Sequence, residues 1–165
     1  MIHGLHHNAY RCRDSEETRR FYEDFLGLQL AGTLEINETK SGRKTETLHT
    51  FYELDDGSYL AFFEAPDMAF EFKVQHDYDL HIALEVEPQT LADMLARGKA
   101  AGIETRGVID HGFIHSIYFR DPNGYVIELT AKTPQHASAM DPRTNGARQK
   151  LDRWTSARQR TQSAA

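Results

Sequence analysis

The sequence predicts an α+β fold: paired β-α-β-β-β modules whose strands form a curved, open, eight-stranded mixed sheet. Three observations carry that expectation. Short apolar runs alternate with polar residues and twice give way to a stripe at helical spacing. The order strand, helix, three strands occurs twice, over about residues 3–64 and again over about 79–130. Each module alone is too thin to bury a good core, so two modules sharing one are the stable solution.

In the first module, residues 5–13 alternate well enough for a strand. Asp14 and Ser15 are candidate helix caps, and Glu16 and Glu17 sit at the positive end of the helix dipole. Phe21, Tyr22, Phe25 and Leu26 form the apolar stripe, which Gly27 can stop. Strands follow over 28–36, 45–54 and 58–63, with the turn Asp55-Asp56-Gly57 between the last two. Residues 65–78 are the connector.

The second module repeats the pattern with a strand over 79–87 and a helix opened by Pro88. A strand over 103–109 and a hairpin over 114–129 complete it. The hairpin turns at Asp121-Pro122-Asn123-Gly124, where proline fixes φ and Asn-Gly accepts the left-handed conformation. Residues 1–130 are therefore expected to form one domain. Residues 131–165 are a basic tail, ending either in one helix docked through Leu151 and Trp154 or in a disordered segment.

Charge sharpens the division. Residues 1–130 carry 12 Lys/Arg against 23 Asp/Glu, whereas 131–165 carry 7 against 2. An acidic body argues against nucleic acid as the main partner, and the basic tail can pair with that body or with the same surface of a second subunit. The single cysteine, Cys12, cannot form an internal disulfide. No stretch is apolar enough to span a membrane, and the first residues lack the pattern of a secretory signal, so the expected location is cytoplasmic.

Three residues stand out by position. His7 and His81 open equivalent strands of the two modules, and Glu128 lies on the last strand between Ile127 and Leu129. A strand glutamate usually faces solvent, and a lone strand histidine is usually a satisfied polar residue. Two imidazoles and one carboxylate on a β scaffold nevertheless match the facial ligand set of non-haem iron sites, which leaves coordination positions open. Fe(II) is favoured; Mn(II), Zn(II), Ni(II) and Co(II) suit the same atoms.

The chain resembles the vicinal oxygen chelate superfamily, which includes glyoxalase I, extradiol dioxygenases, fosfomycin-resistance enzymes and bleomycin-binding proteins. Leu5-His6-His7, Phe21-Tyr22-Glu23-Asp24-Phe25-Leu26-Gly27, His81-Ile82-Ala83-Leu84 and Tyr118-Phe119-Arg120-Asp121-Pro122-Asn123-Gly124 ending at Glu128 carry the resemblance. It implies His7, His81 and Glu128 as metal ligands, with His6 on the opposite strand face. It implies a small-molecule substrate with two adjacent oxygens, aromatic in some members, and a homodimer whose site is built within one chain or across two.

Within that family, the spacing from His111 through Ile117-Tyr118 to Asp121-Pro122-Asn123-Gly124 and Glu128 resembles extradiol ring-cleavage dioxygenases. That implies an oxidoreductase cleaving a catechol-like substrate, with His111 and Tyr118 as catalytic residues and His49 and His115 as further acid–base candidates. The alternatives are a glyoxalase-like lyase or isomerase, a fosfomycin-type thiol transferase, or a non-catalytic small-molecule binding protein. Glyoxalase I adds a glutamate on the last strand of the first half. Aligning Ser58 on Gly124 puts Phe62 at that place, and Glu64 could serve only after a shift in register.

Overall fold

The computed structural model describes residues 1–72 and 76–163, with side chains to residue 159. Three residues of the expected connector, 73–75, lie outside the described residues. The strands are β1 (Tyr10–Arg11), β2 (Gln29–Glu38), β3 (Lys44–Glu53), β4 (Tyr59–Glu64), β5 (His81–Glu85), β6 (Thr105–Asp110), β7 (Ile114–Arg120) and β8 (Val126–Lys132). The helices are α1 (Ser15–Arg19), continued by a π-helical turn over Arg20–Phe25, then α2 (Pro88–Ala100), α3 (His136–Ala139) and α4 (Ala147–Ser163).

These strands make two four-stranded mixed sheets, ordered β1-β4-β3-β2 and β5-β8-β7-β6. The two orders are the same with each strand number raised by four, which is the duplication expected from the sequence. By its contacts the chain divides into two compact units, one of Met1–Ile82 with Phe119–Ile127, the other of Ala83–Tyr118 with the chain from Glu128 on.

In the first unit the helix forms because its caps and stripe agree. Asp14 accepts from the Glu17 amide (2.7 Å), as the sequence expects of an N-cap. The apolar residues fall close together, and the Leu26 amide donates a hydrogen bond to the Phe21 carbonyl (2.9 Å), which widens the last turn. Phe21, Tyr22 and Phe25 are all buried by it. The Tyr22 ring stands 4.6 Å from that of Phe62 and 5.5 Å from that of Tyr52. This face of β3 and β4 is the core.

The first strand is shorter than expected. Only Tyr10 and Arg11 pair as a strand, parallel to Phe62 and Phe63, and His7 makes an isolated bridge to Tyr59. That bridge is held by the Tyr59 amide on the His6 carbonyl (2.9 Å) and the Asn8 amide on the Tyr59 carbonyl (3.4 Å), and His6 lies outside any named strand.

In the second unit Pro88 opens α2, which buries Leu91 and Met94. The tail after β8 forms α3 and α4. Leu151 and Trp154 are 55% and 67% exposed. The polar residues around them give the helix only a narrow apolar stripe. No helix of the described residues is long and apolar enough to cross a membrane.

Candidate functional site

The turn before β4 sets the register of the first hairpin. Gly57 has φ +79°, a conformation that β-carbons disfavour, and its amide donates to the Leu54 carbonyl (2.9 Å). The turn Asp121–Gly124 repeats this: Gly124 has φ +91° and its amide donates to the Asp121 carbonyl (3.0 Å). The flanking bonds match too, Leu54 amide to Ser58 carbonyl and Asp121 amide to Tyr125 carbonyl, each 2.9 Å. Gly57 is thus the counterpart of Gly124.

Counting four residues on from each glycine pairs Ala61 with Glu128. The alignment that put Phe62 there is one residue out, because it matched Ser58 rather than Gly57 to Gly124. Phe62 points to the helix side and is fully buried. Glu64 is on that side as well, where its Oε2 accepts from the Ser15 amide at the start of α1 (2.7 Å). Glu64 therefore serves as a helix cap rather than a fourth ligand.

His7 lies on the other face of this sheet. Its ring centroid is 5.5 Å from Phe51 and 6.0 Å from His49. His49 is 5% exposed, stacks on Phe63 at 3.6 Å and 15°, and donates from Nδ1 to the Phe62 carbonyl (3.0 Å). That bond leaves the lone pair on Nε2. Burial holds the His49 pKa below its ordinary value, keeping the ring neutral near pH 7. His6, expected on the opposite face, instead brings its Nδ1 within 2.8 Å of His7 Nδ1, so one ring must donate and the other accept.

His81 opens β5 as expected and is exposed. Its Nδ1 donates to the Asp77 carbonyl (3.1 Å), which places the lone pair on Nε2. Arg120 ties this segment to the hairpin turn, with Nη2 on Asp77 Oδ1 (2.9 Å) and Nη1 on the Gly124 carbonyl (3.0 Å).

Glu128 does not face solvent: it is 6% exposed. Tyr118 donates from its hydroxyl to Glu128 Oε1 (3.3 Å), and His111 Nε2 lies 2.8 Å from the same hydroxyl. With the phenolic proton directed at Glu128, Nε2–H of His111 donates to the phenol oxygen. Burial, then the neighbouring carboxylate, raises the Tyr118 pKa and keeps the phenol protonated. The Arg106 guanidinium stands 5.0 Å over the Tyr118 ring. His115 lies elsewhere, 3.4 Å from Asp110.

One residue escaped the sequence reading. Asp121 is not only a turn former but a buried acceptor, 5% exposed. Its carboxylate takes the amides of Asn123 (2.9 Å) and Tyr125 (2.7 Å) and the Tyr22 hydroxyl (3.0 Å). Burial raises its pKa, and these donors partly oppose the rise. The signal available in the sequence was Tyr22 itself, a polar-tipped ring in a stripe otherwise apolar.

Within the second unit the structure brings His111, Tyr118 and Glu128 together, and within the first His6, His7 and His49. Among the described residues no group of three or more His, Cys, Asp or Glu is arranged to hold a metal ion. The donor chemistry of His7, His81 and Glu128 fits a divalent metal, and the Nδ1–carbonyl bond of His81 is the usual support of a ligating imidazole.

Comparison with known proteins agrees with the fold. A family model described as the Glyoxalase/Bleomycin resistance protein/Dioxygenase superfamily matches residues 4–129. A probable lactoylglutathione lyase of Vibrio parahaemolyticus is 28% identical over 130 residues, 74% of this chain and 86% of that protein. Among solved structures, a glyoxylase/bleomycin resistance protein/dioxygenase domain from a Frankia species superposes with a TM-score of 0.64 at 19% identity, covering 81% of this chain and all of that one. The fosfomycin resistance protein FosX of Listeria monocytogenes, in complex with Mn(II) and sulfate, superposes with a TM-score of 0.61 at 22% identity, covering 84% and 99%.

Proposed function

This chain belongs to the glyoxalase/bleomycin resistance/dioxygenase superfamily, and from that premise we propose that it is a metal-dependent lyase or isomerase acting on a small molecule with two adjacent oxygens. The observation that carries this reading is the series His111, Tyr118, Glu128, in which a buried carboxylate holds a protonated phenol. We assign His7, His81 and Glu128 as ligands of a divalent ion; among the candidates Fe(II), Mn(II), Zn(II), Ni(II) and Co(II), Mn(II) is the ion in the FosX complex. When bound, such an ion lowers the pKa of a chelated oxygen and stabilises the charge that develops there.

The chain's own groups handle the proton. Tyr118 presents a hydroxyl that can donate to a developing oxyanion, and His111 behind it can restore that proton. Phe51, Tyr59 and Phe63 around His7 give the first module an apolar face that excludes water from a substrate. The curated relative's name supports the thiohemiacetal of a 2-oxoaldehyde and glutathione as first test substrate. In that isomerisation the hydrogen on the sulfur-bearing carbon moves to the adjacent carbon, and no external oxidant is consumed.

The test is anaerobic purification and metal analysis, followed by assay of that thiohemiacetal with each ion. One ion per site with turnover, both lost in His7→Ala and Glu128→Ala, would support the reading. Failure of every divalent ion to bind after reconstitution would sink it. A homodimer is part of the proposal, and mixing His7→Ala with Glu128→Ala chains recovers activity only where a site draws on both copies.

A second reading, the extradiol dioxygenase, is favoured by one observation, the 2.8 Å contact of His111 with Tyr118. Oxygen-dependent ring cleavage of a catechol by the Fe(II)-loaded protein, without isomerase activity, would decide for it.

A further inference from the structure

Helix α4 presents a face that covers no other described residue. Every described side chain of it, 147–159, is exposed. Ala147, Leu151, Trp154 and Arg158 fall on one stripe by helical spacing, with Lys150 one turn before Trp154. Arg148 pairs with Asp152 at 3.2 Å on the far side, whereas Lys150 and Arg158 beside the tryptophan have no ion-pair partner among the described residues. An exposed Leu–Trp pair flanked by two cations is a binding face looking for an acidic, partly apolar counterpart.

The first unit carries such a counterpart. A groove of about 310 Å³ at the end of β2, β3 and β4 is lined by Glu35, Glu46 and Glu64, with Leu48 and Pro66 supplying apolar surface. Glu35 is the register partner of Leu48, and Leu48 of Glu64, so the two glutamates flank the leucine on one face. Glu64 is partly engaged with the Ser15 amide, but Glu35 and Glu46 have no cation within ion-pair distance among the described residues. Among the described residues no lysine or arginine lines the groove.

We propose that α4 of one copy docks into this groove of a second copy, Leu151 and Trp154 resting on Leu48 and Pro66, and Lys150 and Arg158 facing Glu35 and Glu46. Charge complementarity selects the occupant: the body is acidic, the tail is basic, and both belong to the same chain. Two-fold symmetry then supplies the contact twice, because each copy offers one helix and one groove. A single helix buries too little to hold a dimer alone, so these arms add to an interface made elsewhere. The docking depends on no catalytic assignment.

Trp154 is the only tryptophan in the chain, so its emission reports the contact directly in the full-length protein. A docked indole emits to the blue of a solvated one. The wild type is expected to show that blue shift, Glu35→Lys with Glu46→Lys to lose it, and the further changes Lys150→Glu and Arg158→Glu to restore it. All four positions are exposed, so folding is preserved.

A second measurement identifies the donor of the helix. Chains carrying Thr155→Cys are mixed with chains carrying Glu46→Cys under mild oxidation, Cys12 being buried. A disulfide-linked pair of unlike chains supports docking between copies. Solvated emission in every variant would overturn the proposal. So would a link formed only within a doubly substituted single chain, or a blue shift that needs added anionic vesicles or RNA.

Discussion

The two hairpins, β3–β4 and β7–β8, are copies of one device put to different uses. Counted from Gly57 and Gly124, Phe51 corresponds to Tyr118, Ala61 to Glu128 and Leu54 to Asp121. The first hairpin fills these places with apolar groups. Phe51 is a cross-strand partner of Ala61, and the pair gives His7 a hydrophobic neighbour. The second fills them with a phenol, a carboxylate and a buried aspartate, joined to His111 and Tyr22 by hydrogen bonds. A duplicated backbone thus carries two kinds of side chain. One copy lines its face with an aromatic ring beside His7, and the other joins an imidazole, a phenol and a carboxylate by hydrogen bonds.

The comparison can be broken by making the second hairpin resemble the first. The largest effect is expected from Glu128→Ala, which reproduces Ala61. Since losing even an outer partner of a ligand costs about 10–100-fold in metal affinity, removing Glu128, if it ligates as proposed, should cost at least the upper end of that range, read by isothermal titration with the metal. Retained metal and activity would show that Glu128 is a structural acid.

Asp121→Leu, reproducing Leu54, should be the most damaging to stability. It leaves two buried amides and the Tyr22 hydroxyl without their acceptor, a loss of about 3 kcal/mol or more in urea unfolding. A change within about 0.5 kcal/mol, as for an ordinary surface site, would mean that the network relaxes at no cost.

Tyr118→Phe, reproducing Phe51, should fold normally and lower kcat by about 100-fold or more if the hydroxyl serves as an acid. An unchanged kcat with a raised KM would reduce Tyr118 to a binding group.

The smallest expected effect concerns the first hairpin. Burial lowers the His49 pKa below 6.5, so the unfolded state binds its proton more readily than the folded state. The stability from a neutral His49 is complete above pH 6.5 and is lost as pH falls through the window between 6.5 and the lower folded value. The metal-free His49→Gln variant should lack that component in thermal melts. Parallel melting curves for the two proteins across this range would contradict the assignment.

Much of this architecture was legible in the sequence, and the reasons are local. Asp121-Pro122-Asn123-Gly124 and Asp55-Asp56-Gly57 announce their turns, and the stripe of Phe21, Tyr22 and Phe25 announces its helix. Three features were not legible because they depend on partners far along the chain. The face of Ala61 was hidden because Ser58-Tyr59 looks more like Gly124-Tyr125 than Gly57-Ser58 does. Glu64 resembled a ligand until its hydrogen bond to Ser15 was placed. His6 joins the bridge to Tyr59 only through its carbonyl, while its ring turns to that of His7. The series His111, Tyr118, Glu128 follows the residues singled out from spacing, but burial of Glu128 is a tertiary fact.

The order of strands in each sheet also bears on how the protein is made. In the first sheet β2, β3 and β4 pair with their sequence neighbours, whereas β1 must wait for β4 to appear some fifty residues later. In the second sheet β5 waits likewise for β8. Local meanders close faster than such distant pairings. On a ribosome the segments bearing His7 and His81 are therefore the last to settle onto their sheets, and we expect a nascent chain to form its rigid hairpins well before these two of its histidines are placed.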